Sequence, residues 1–176
     1  MLEHIELSLE PVTENELPDF TRNAQEAFSV ALRETFGHVD PIPSEDEVRT
    51  YFFSPGAASY HIMLSQRRIG GAMLLIDEKT QHNSLELFFI TPEFHGHGVG
   101  VAAWKAIEKT YPDTAVWKTI TPYFERRNIH FYVNKCKFHI VEFFHERHRD
   151  PNMPDLETQT DIPGTDAYFL FEKVMK

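Results

Sequence analysis

Residues 88–104, FFITPEFHGHGVGVAAW, pass from an apolar run into a helical pattern through a turn that holds three glycines and two histidines. A strand handing over to a helix across so few bulky residues must bring the strand end and the helix N-terminus close together. Glycine adopts left-handed backbone at no steric cost and lets another backbone or a ligand approach. The free N–H groups of such a helix start, with the positive end of the helix dipole behind them, suit an anion. One glycine would satisfy an ordinary tight turn. Gly96, Gly98 and Gly100 within five residues ask for more.

The flanking sequence restricts the topology. SYHIMLSQ, RIGGAMLLIDE and SLELFFIT read as three strands, with QRR and EKTQHN as the turns of an antiparallel meander. Upstream, HIELSLEPV alternates and predicts a first strand over Ile5 to Leu9. Phe20, Ala24, Phe28, Leu32 and Phe36 then recur at helical spacing, with Gly37 as the stop. Ser44 and Glu47 form a capping box ahead of a short helix carrying Val48 and Tyr51.

Downstream of the turn, Val101, Ala102, Trp104, Ile107 and Tyr111 predict a helix that Pro112 closes. TAVWKTIT follows as a strand, PYFERRNIHFYVNKC as mostly helix, and KFHIVEFFHE as another strand. RHRDPNMPDLETQTDIPGTD is a long polar loop able to cover a site, and AYFLFEKVMK is the last strand. The expectation is one domain over residues 1–176, of the α/β (α+β) class. It has a mixed, mostly antiparallel sheet of six to seven strands with helices on both faces.

Charge and cysteine usage remove several function classes. Acidic residues outnumber basic ones, 27 against 17, so a nucleic-acid partner is not expected. The same balance fits a cationic partner such as an amine, and serves solubility equally. Cys136 is the single cysteine, which rules out a disulfide within the chain. The acidic start MLEHIELSLE lacks a signal-type apolar core, and no apolar run approaches the ~18 residues of a membrane span. The expectation is a cytoplasmic protein with no membrane partner.

The glycine turn admits several readings. Gly98-Val99-Gly100 followed by Ala103 matches a dinucleotide fingerprint, but the next strand ends Lys118-Thr119-Ile120-Thr121 without the required acid. GVGVAA lacks the Gly-Lys-Ser/Thr of a Walker loop. His95 and His97 have no Cys, Asp or Glu nearby at ligand spacing, and His145 and His148 join them only if the fold allows it, so no metal is expected. A phosphate-bearing cofactor held on backbone N–H groups fits the three glycines better than a plain turn does.

With the segment after it, the turn resembles the GNAT superfamily of acyl-CoA-dependent N-acyltransferases. His95-Gly96-His97-Gly98-Val99-Gly100 is similar to the family's Gln/Arg-x-x-Gly-x-Gly/Ala motif, and Ile90-Thr91-Pro92-Glu93-Phe94 to its strand end. Asn128 to Phe138, NIHFYVNKCKF, resembles the family's N-x-x-F-Y-x-x-x-G-F segment. There are three departures. His95 replaces Gln or Arg and could still hydrogen-bond a phosphate. Lys137 replaces Gly, which costs roughly 1 kcal/mol if the position needs a positive φ. Glu125 stands where many members carry Asn, seven residues before the tyrosine.

The resemblance implies acetyl-CoA as cosubstrate, with no metal. Backbone N–H groups from Gly96 through His97, Gly98 and Val99 to Gly100 would hold the pyrophosphate, with His95 beside them and Val101 starting the helix. Phe89 and Ile90 would pair with the pantetheine arm, and Asn128 would face the cofactor. Tyr132 matches the general acid for the leaving thiolate. Glu86, expected on the strand face of Ile90 and not that of Phe89, is the candidate base, acting through water. Phe28, Phe36, Tyr51, Phe52, Phe143 and Phe144 are aromatic candidates for substrate contact or core. His145, His148 and Asp150 read as a solvated loop, and Cys136 as a small buried hydrophobe. The implied partner is a small-molecule or peptide amine, and a homodimer is compatible with the architecture. Two rivals stand beside this reading: a non-catalytic acyl-CoA-binding or regulatory domain of the same fold, and a histidine-rich metal-binding protein.

Overall fold

The computed structural model describes residues 5–37, 41–152 and 167–175. Strand β1 (Leu7–Pro11) leads through a short 3-10 turn into helix α1 (Leu17–Phe36), which Gly37 ends with φ 77°. Helix α2 (Glu45–Phe52) follows, then the meander β2 (Ala57–Leu64), β3 (Arg67–Leu75) and β4 (His82–Ile90). Beyond the glycine turn come α3 (Val99–Thr110), β5 (Val116–Pro122) and a short α4 (Arg126–His130) that continues as a π-helical turn, Phe131–Lys135. β6 (His139–Phe144) and β7 (Tyr168–Val174) complete the sheet.

The seven strands lie in the order β1-β2-β3-β4-β5-β7-β6, and among the described residues β4 beside β5 is the only parallel pair. The first strand lies two residues later than the alternation predicts. It includes Pro11, opposite Tyr60, which is acceptable because β1 is the edge of the sheet. Residues 153–166, most of the long polar loop, lie outside the described residues, so its proposed covering role is not placed.

Two cores sandwich the sheet. On one face Phe20, Ala24 and Ala27 of α1 and Val48 of α2 pack on Met73, Leu87 and Phe89. On the other, Trp104 and Ile107 of α3 pack with Ala72, Leu74, Leu85, Trp117, Phe138 and Phe171. Trp104 meets Trp117 at 5.2 Å and 76°, and Phe138 at 5.2 Å and 54°. Each such pair adds about 0.5–1.5 kcal/mol beyond its area burial. Cys136 lies in this second core, 2% exposed, and burial pushes its thiol up to about 12, so it is a packing residue.

One irregularity in this frame matters most for the site. Met73 pairs with Leu87 but Leu74 pairs with Leu85, so Glu86 is the extra residue of a β-bulge. The bulge reverses the side-chain parity along β4. Leu85 packs with the α3 core although Leu87 packs with the α1 core. Just beyond Leu85, β4 and β5 stop pairing: their parallel register runs from His82↔Val116 to Leu85↔Thr119 only. From there the strands separate, and a gap opens in the middle of the sheet.

Candidate active site

The gap runs upward from the bulge and ends at the start of α3. On the β3 side of β4, Thr91 N–H donates to Ile69 O at 2.9 Å. The antiparallel alternation then directs the polar backbone groups of Phe89 to β3 and those of Phe88 and Ile90 into the gap. The expectation for Phe89 and Ile90 is therefore half altered. Phe89 contributes a wall, while Phe88 and the N–H of Ile90 carry the backbone edge that faces the gap.

At the top, Gly98 is the N-cap of α3, with left-handed backbone at φ 74°, and no side chain caps the helix. The first bond back to the cap is Ala102 N–H to Gly98 O at 3.2 Å. The N–H groups of residues 98 to 101 precede it and have no partner within the helix. Gly100 is small for a different reason: a Cβ there would lie 3.1 Å from the Phe131 ring, which presses the start of α3 against the π-helical turn. Strand end, helix start and π turn are thereby drawn together.

They enclose a cleft of about 780 Å³. Among the residues expected at the site, Phe89, Ile90, His95, Gly96, Gly98, Val99, Gly100, Val101, Asn128 and Tyr132 all line it. His97 is exposed and is not one of the walls. Lys105, Arg127 and Lys135 also line the cleft, so its wall is cationic in a chain of formal net charge −10. A polyanion is drawn to such a wall.

His95 does something other than the expected phosphate contact. Its Nε2 lies 2.6 Å from the carbonyl oxygen of Ile90 and must donate to it. Burial lowers the affinity of the ring for a second proton, the Ile90 bond opposes this, and nearby Arg127 adds to the lowering. A neutral imidazole with Nε2–H spent on Ile90 has only an acceptor left at Nδ1. Its backbone N–H is also taken, by Pro92 O at 3.1 Å. His95 therefore locks the end of β4 and does not donate to an anion.

Tyr132 is 6% exposed at the beginning of the π turn. The turn is closed by Cys136 N–H to Phe131 O at 2.9 Å, a five-residue step, and π-turns of this kind concentrate at functional sites. Burial drives the Tyr132 phenol far above its ordinary pKa; Cys136 and Glu125 add to this, and a hydrogen bond with Thr119 offsets part of it. The phenol is held protonated.

Glu86 is not where the strand alternation puts it. The bulge turns it to the α1–α2 side, the face of Phe89 and not that of Ile90. There it accepts a hydrogen bond from Ser84, and its charge adds to the rise that burial imposes on the pKa of Tyr51, which packs on the same core. It does not line the cleft. Glu125 does, 8% exposed, and sequence reasoning met it only as a departure from a motif. Burial raises its pKa, Arg127 opposes, and Glu34 adds to the rise.

Of the aromatic candidates, Phe28 lines the cleft. Phe36 packs edge-on against Phe124, while Tyr51 and Phe52 pack on the α1 core. Phe143 and Phe144 belong to β6, far along the sheet order from β4. His145 and His148 form a small bridge, with His148 Nε2 on Glu142 at 2.7 Å. Among the described residues no group of three or more His, Cys, Asp or Glu could hold a metal ion.

Comparisons with known proteins bear on the family and the fold. The acetyltransferase (GNAT) family model matches residues 25–138. YrkN of Bacillus subtilis (strain 168), an uncharacterized protein, is 51% identical over 172 residues, covering 96% of this chain and 93% of that one. The ribosomal-protein-S18-alanine N-acetyltransferase from Escherichia coli superposes with TM-score 0.69 at 12% identity, over 97% of this chain and 95% of that one. A Bacillus subtilis acetyltransferase solved in complex with CoA gives TM-score 0.61 at 17% identity, over 97% and 99%. The two solved structures speak for the fold alone.

Proposed function

The chain belongs to the GNAT acetyltransferase family, and from that premise we propose that it transfers an acetyl group from acetyl-CoA to the nitrogen of a primary amine. The observation that carries this reading is the continuous gap from the β4 bulge to the uncapped start of α3, with Tyr132 lining it.

The residues fit the cosubstrate in three respects. The N–H groups of Gly98, Val99, Gly100 and Val101 supply a cradle for a pyrophosphate, and Lys105, Arg127 and Lys135 supply its charge balance. The Phe88 backbone and the Ile90 N–H supply a strand edge to which an extended amide-bearing arm can add, the Ile90 carbonyl being held by His95. Asn128, on the same wall, supplies a further polar contact. Bound there, acetyl-CoA would bring a thioester already activated for attack by a neutral amine.

The role of Tyr132 follows from its burial. A phenol with so high a pKa keeps its proton beside a departing thiolate, whose own affinity is near that of an ordinary thiol, about 8.5. Tyr132 therefore stabilises the developing negative charge as a hydrogen-bond donor, and complete transfer of its proton is not required.

The test is calorimetric titration with acetyl-CoA, followed by a screen of amines that monitors free thiol. Micromolar-range binding and amine-dependent thiol release are expected. A protein that binds acetyl-CoA but releases no thiol with any amine would instead be an acyl-CoA-binding domain of this fold.

No helix among the described residues is long and apolar enough to cross a membrane. We place the reaction in the cytoplasm, where acetyl-CoA is made available, and leave the protein free to act as a monomer or a homodimer.

A further inference from the structure

Resting on that acetyl-transfer reading, we propose that Glu125, and not Glu86, takes the proton from the acceptor, and that the acceptor is a primary amine borne on a compact apolar group.

Glu125 sits in the turn between β5 and α4. Its backbone is fixed at both ends: its N–H donates to Pro122 O at 3.1 Å, and its carbonyl accepts from Ile129 N–H at 3.0 Å. The adjacent Phe124 meets Phe36 of α1 edge-on at 4.8 Å, so the end of α1 is docked against the turn that carries the carboxylate. The cleft surface contributed by α1 is Ala27, Phe28, Val30 and Ala31, without a polar side chain. A carboxylate at the edge of an apolar wall, and beside the hydrogen-bonding hydroxyl of Tyr132, has the arrangement needed to seat an ammonium group and its hydrocarbon.

A purely structural role accounts poorly for this residue. Among the described residues no side chain hydrogen-bonds the Glu125 carboxylate. The charged and titratable groups that face it are Arg127 from its own segment, Glu34 from α1 and Tyr132 from the π turn. Its carboxylate is mostly buried yet keeps an opening onto the cleft, since among the described residues the fully buried side-chain polar atom without a partner is Trp117 Nε1. The same burial makes it a stronger base than an exposed glutamate, closer to the affinity a general base needs near neutral pH. Glu86, by contrast, is engaged with Ser84 on the α2 side of the bulge.

The step balances without another reactant. The acceptor ammonium gives one proton to the Glu125 carboxylate, and the neutral nitrogen bonds to the thioester carbonyl carbon. The carbon–sulfur bond breaks with its electron pair going to sulfur, which Tyr132 hydrogen-bonds. The second nitrogen proton passes to that sulfur, leaving an amide and a free thiol. Glu125 then returns its proton to solvent.

The experiment compares wild type, Glu125→Gln and Glu86→Gln with phenethylamine, ethylamine and spermidine as acceptors. Glu125→Gln should bind acetyl-CoA within about twofold of wild type while kcat/KM for phenethylamine falls about 100-fold or more. The acidic limb of the wild-type pH profile should disappear in this variant. Its melting temperature near neutral pH should rise, since a buried charge is gone, which also shows that the variant is folded. Phenethylamine should exceed ethylamine and spermidine in kcat/KM by about tenfold, the size of effect expected from an apolar wall. Activity of Glu125→Gln within about fivefold of wild type, or a larger loss in Glu86→Gln, would overturn the assignment of the base. Spermidine or ethylamine as the better acceptor would overturn the apolar class. Wild-type protein that acetylates none of the three amines would overturn the apolar class, whereas no thiol release with any amine of the wider screen would overturn acetyl transfer, and the role of Glu125 with it.

Discussion

Three helices of this protein begin in different ways. The segment entering α1 closes on itself: Thr13 N–H donates to Glu16 Oε2 at 3.0 Å, and Glu16 N–H returns to Thr13 O at 3.0 Å. Helix α2 has a full capping box, with Glu47 N–H on Ser44 Oγ at 3.1 Å and Ser44 N–H on Glu47 Oε2 at 2.9 Å. Its first turn also carries Glu45, Asp46 and Glu47, three negative charges against the positive end of the dipole. Helix α3 has none of this: its cap is a glycine, no side chain reaches its N–H groups, and its first turn holds no acid. A cap contributes about 1 kcal/mol and a well-placed first-turn acid about 0.3–1 kcal/mol. The capping box of α2 retains that stabilisation, the turn before α1 is closed by its own Thr13–Glu16 contacts, and α3 forgoes both. The helix beside the cleft leaves its positive end open to an anion from outside the chain.

That contrast predicts opposite phenotypes for changes at the two kinds of start. The largest effect is expected at Gly98. Valine there meets a left-handed backbone that costs a β-branched residue about 1–2 kcal/mol, and its side chain covers the N–H cradle. Acetyl-CoA affinity of Gly98→Val should fall about 100-fold or more by calorimetry, whereas an unaltered dissociation constant would remove the pyrophosphate from this helix start. Tyr132→Phe should rank next, with kcat lower by about 100-fold and acetyl-CoA affinity nearly intact, because the lost hydroxyl acts on charge that develops only during transfer.

The capped starts should respond in stability alone. Glu16 accepts from Thr13 N–H and also engages His61 and Arg68, and these hydrogen bonds lower its pKa from 4.5 to about 2. Because the folded pKa lies below the unfolded one, its contribution is complete above the unfolded value and is lost as pH falls toward 2. Glu16→Gln should therefore unfold at lower urea concentration than wild type near neutral pH, and the two curves should converge as pH falls from about 4.5 to about 2. Ser44→Ala should cost about 1 kcal/mol in the same assay and leave acetyl-CoA binding unchanged. A cofactor effect at Ser44 would break the distinction drawn between these helices.

Regular periodicity made most of the fold legible. The four-residue recurrence from Phe20 to Phe36, the box at Ser44 and Glu47 and the three-strand meander all stand where the pattern puts them. The glycine turn and the segment around Tyr132 were legible as motifs, and both line one cleft. What remained hidden was set by departures from periodicity. One extra residue at Glu86 inverts the faces of β4 below Leu87, and no composition signal marks it, because a bulge is a register relation with β3. The same limit applies to His95, whose inward bond to Ile90 depends on how tightly the turn folds back. Glu125 was visible as an unusual residue in a motif, but its burial depends on α1, about ninety residues earlier, docking through Phe36.

Lys137 offers the finest test, because there the sequence-based expectation and the geometry meet in one residue. It adopts φ 69°, the left-handed region the motif reserves for glycine, directly after the π turn that presents Tyr132. Phe138 N–H bonds back to Tyr132 O at 2.9 Å, so the left-handed residue turns the chain at the end of the segment that holds the phenol. Lys137 Nζ donates to Asn134 O at 2.8 Å on the exposed side, which offsets part of the strain. Glycine would remove that strain but would also give the unfolded chain more freedom and delete the Nζ bond. The net change for Lys137→Gly should therefore be a small stabilisation, about 0.5 kcal/mol, with acetyl-CoA affinity unaltered. If turnover also shifts while binding does not, the left-handed turn adjusts the reach of Tyr132 as well as closing the helix. The π turn would then belong with the open start of α3, as backbone shaped for the reaction and not for stability.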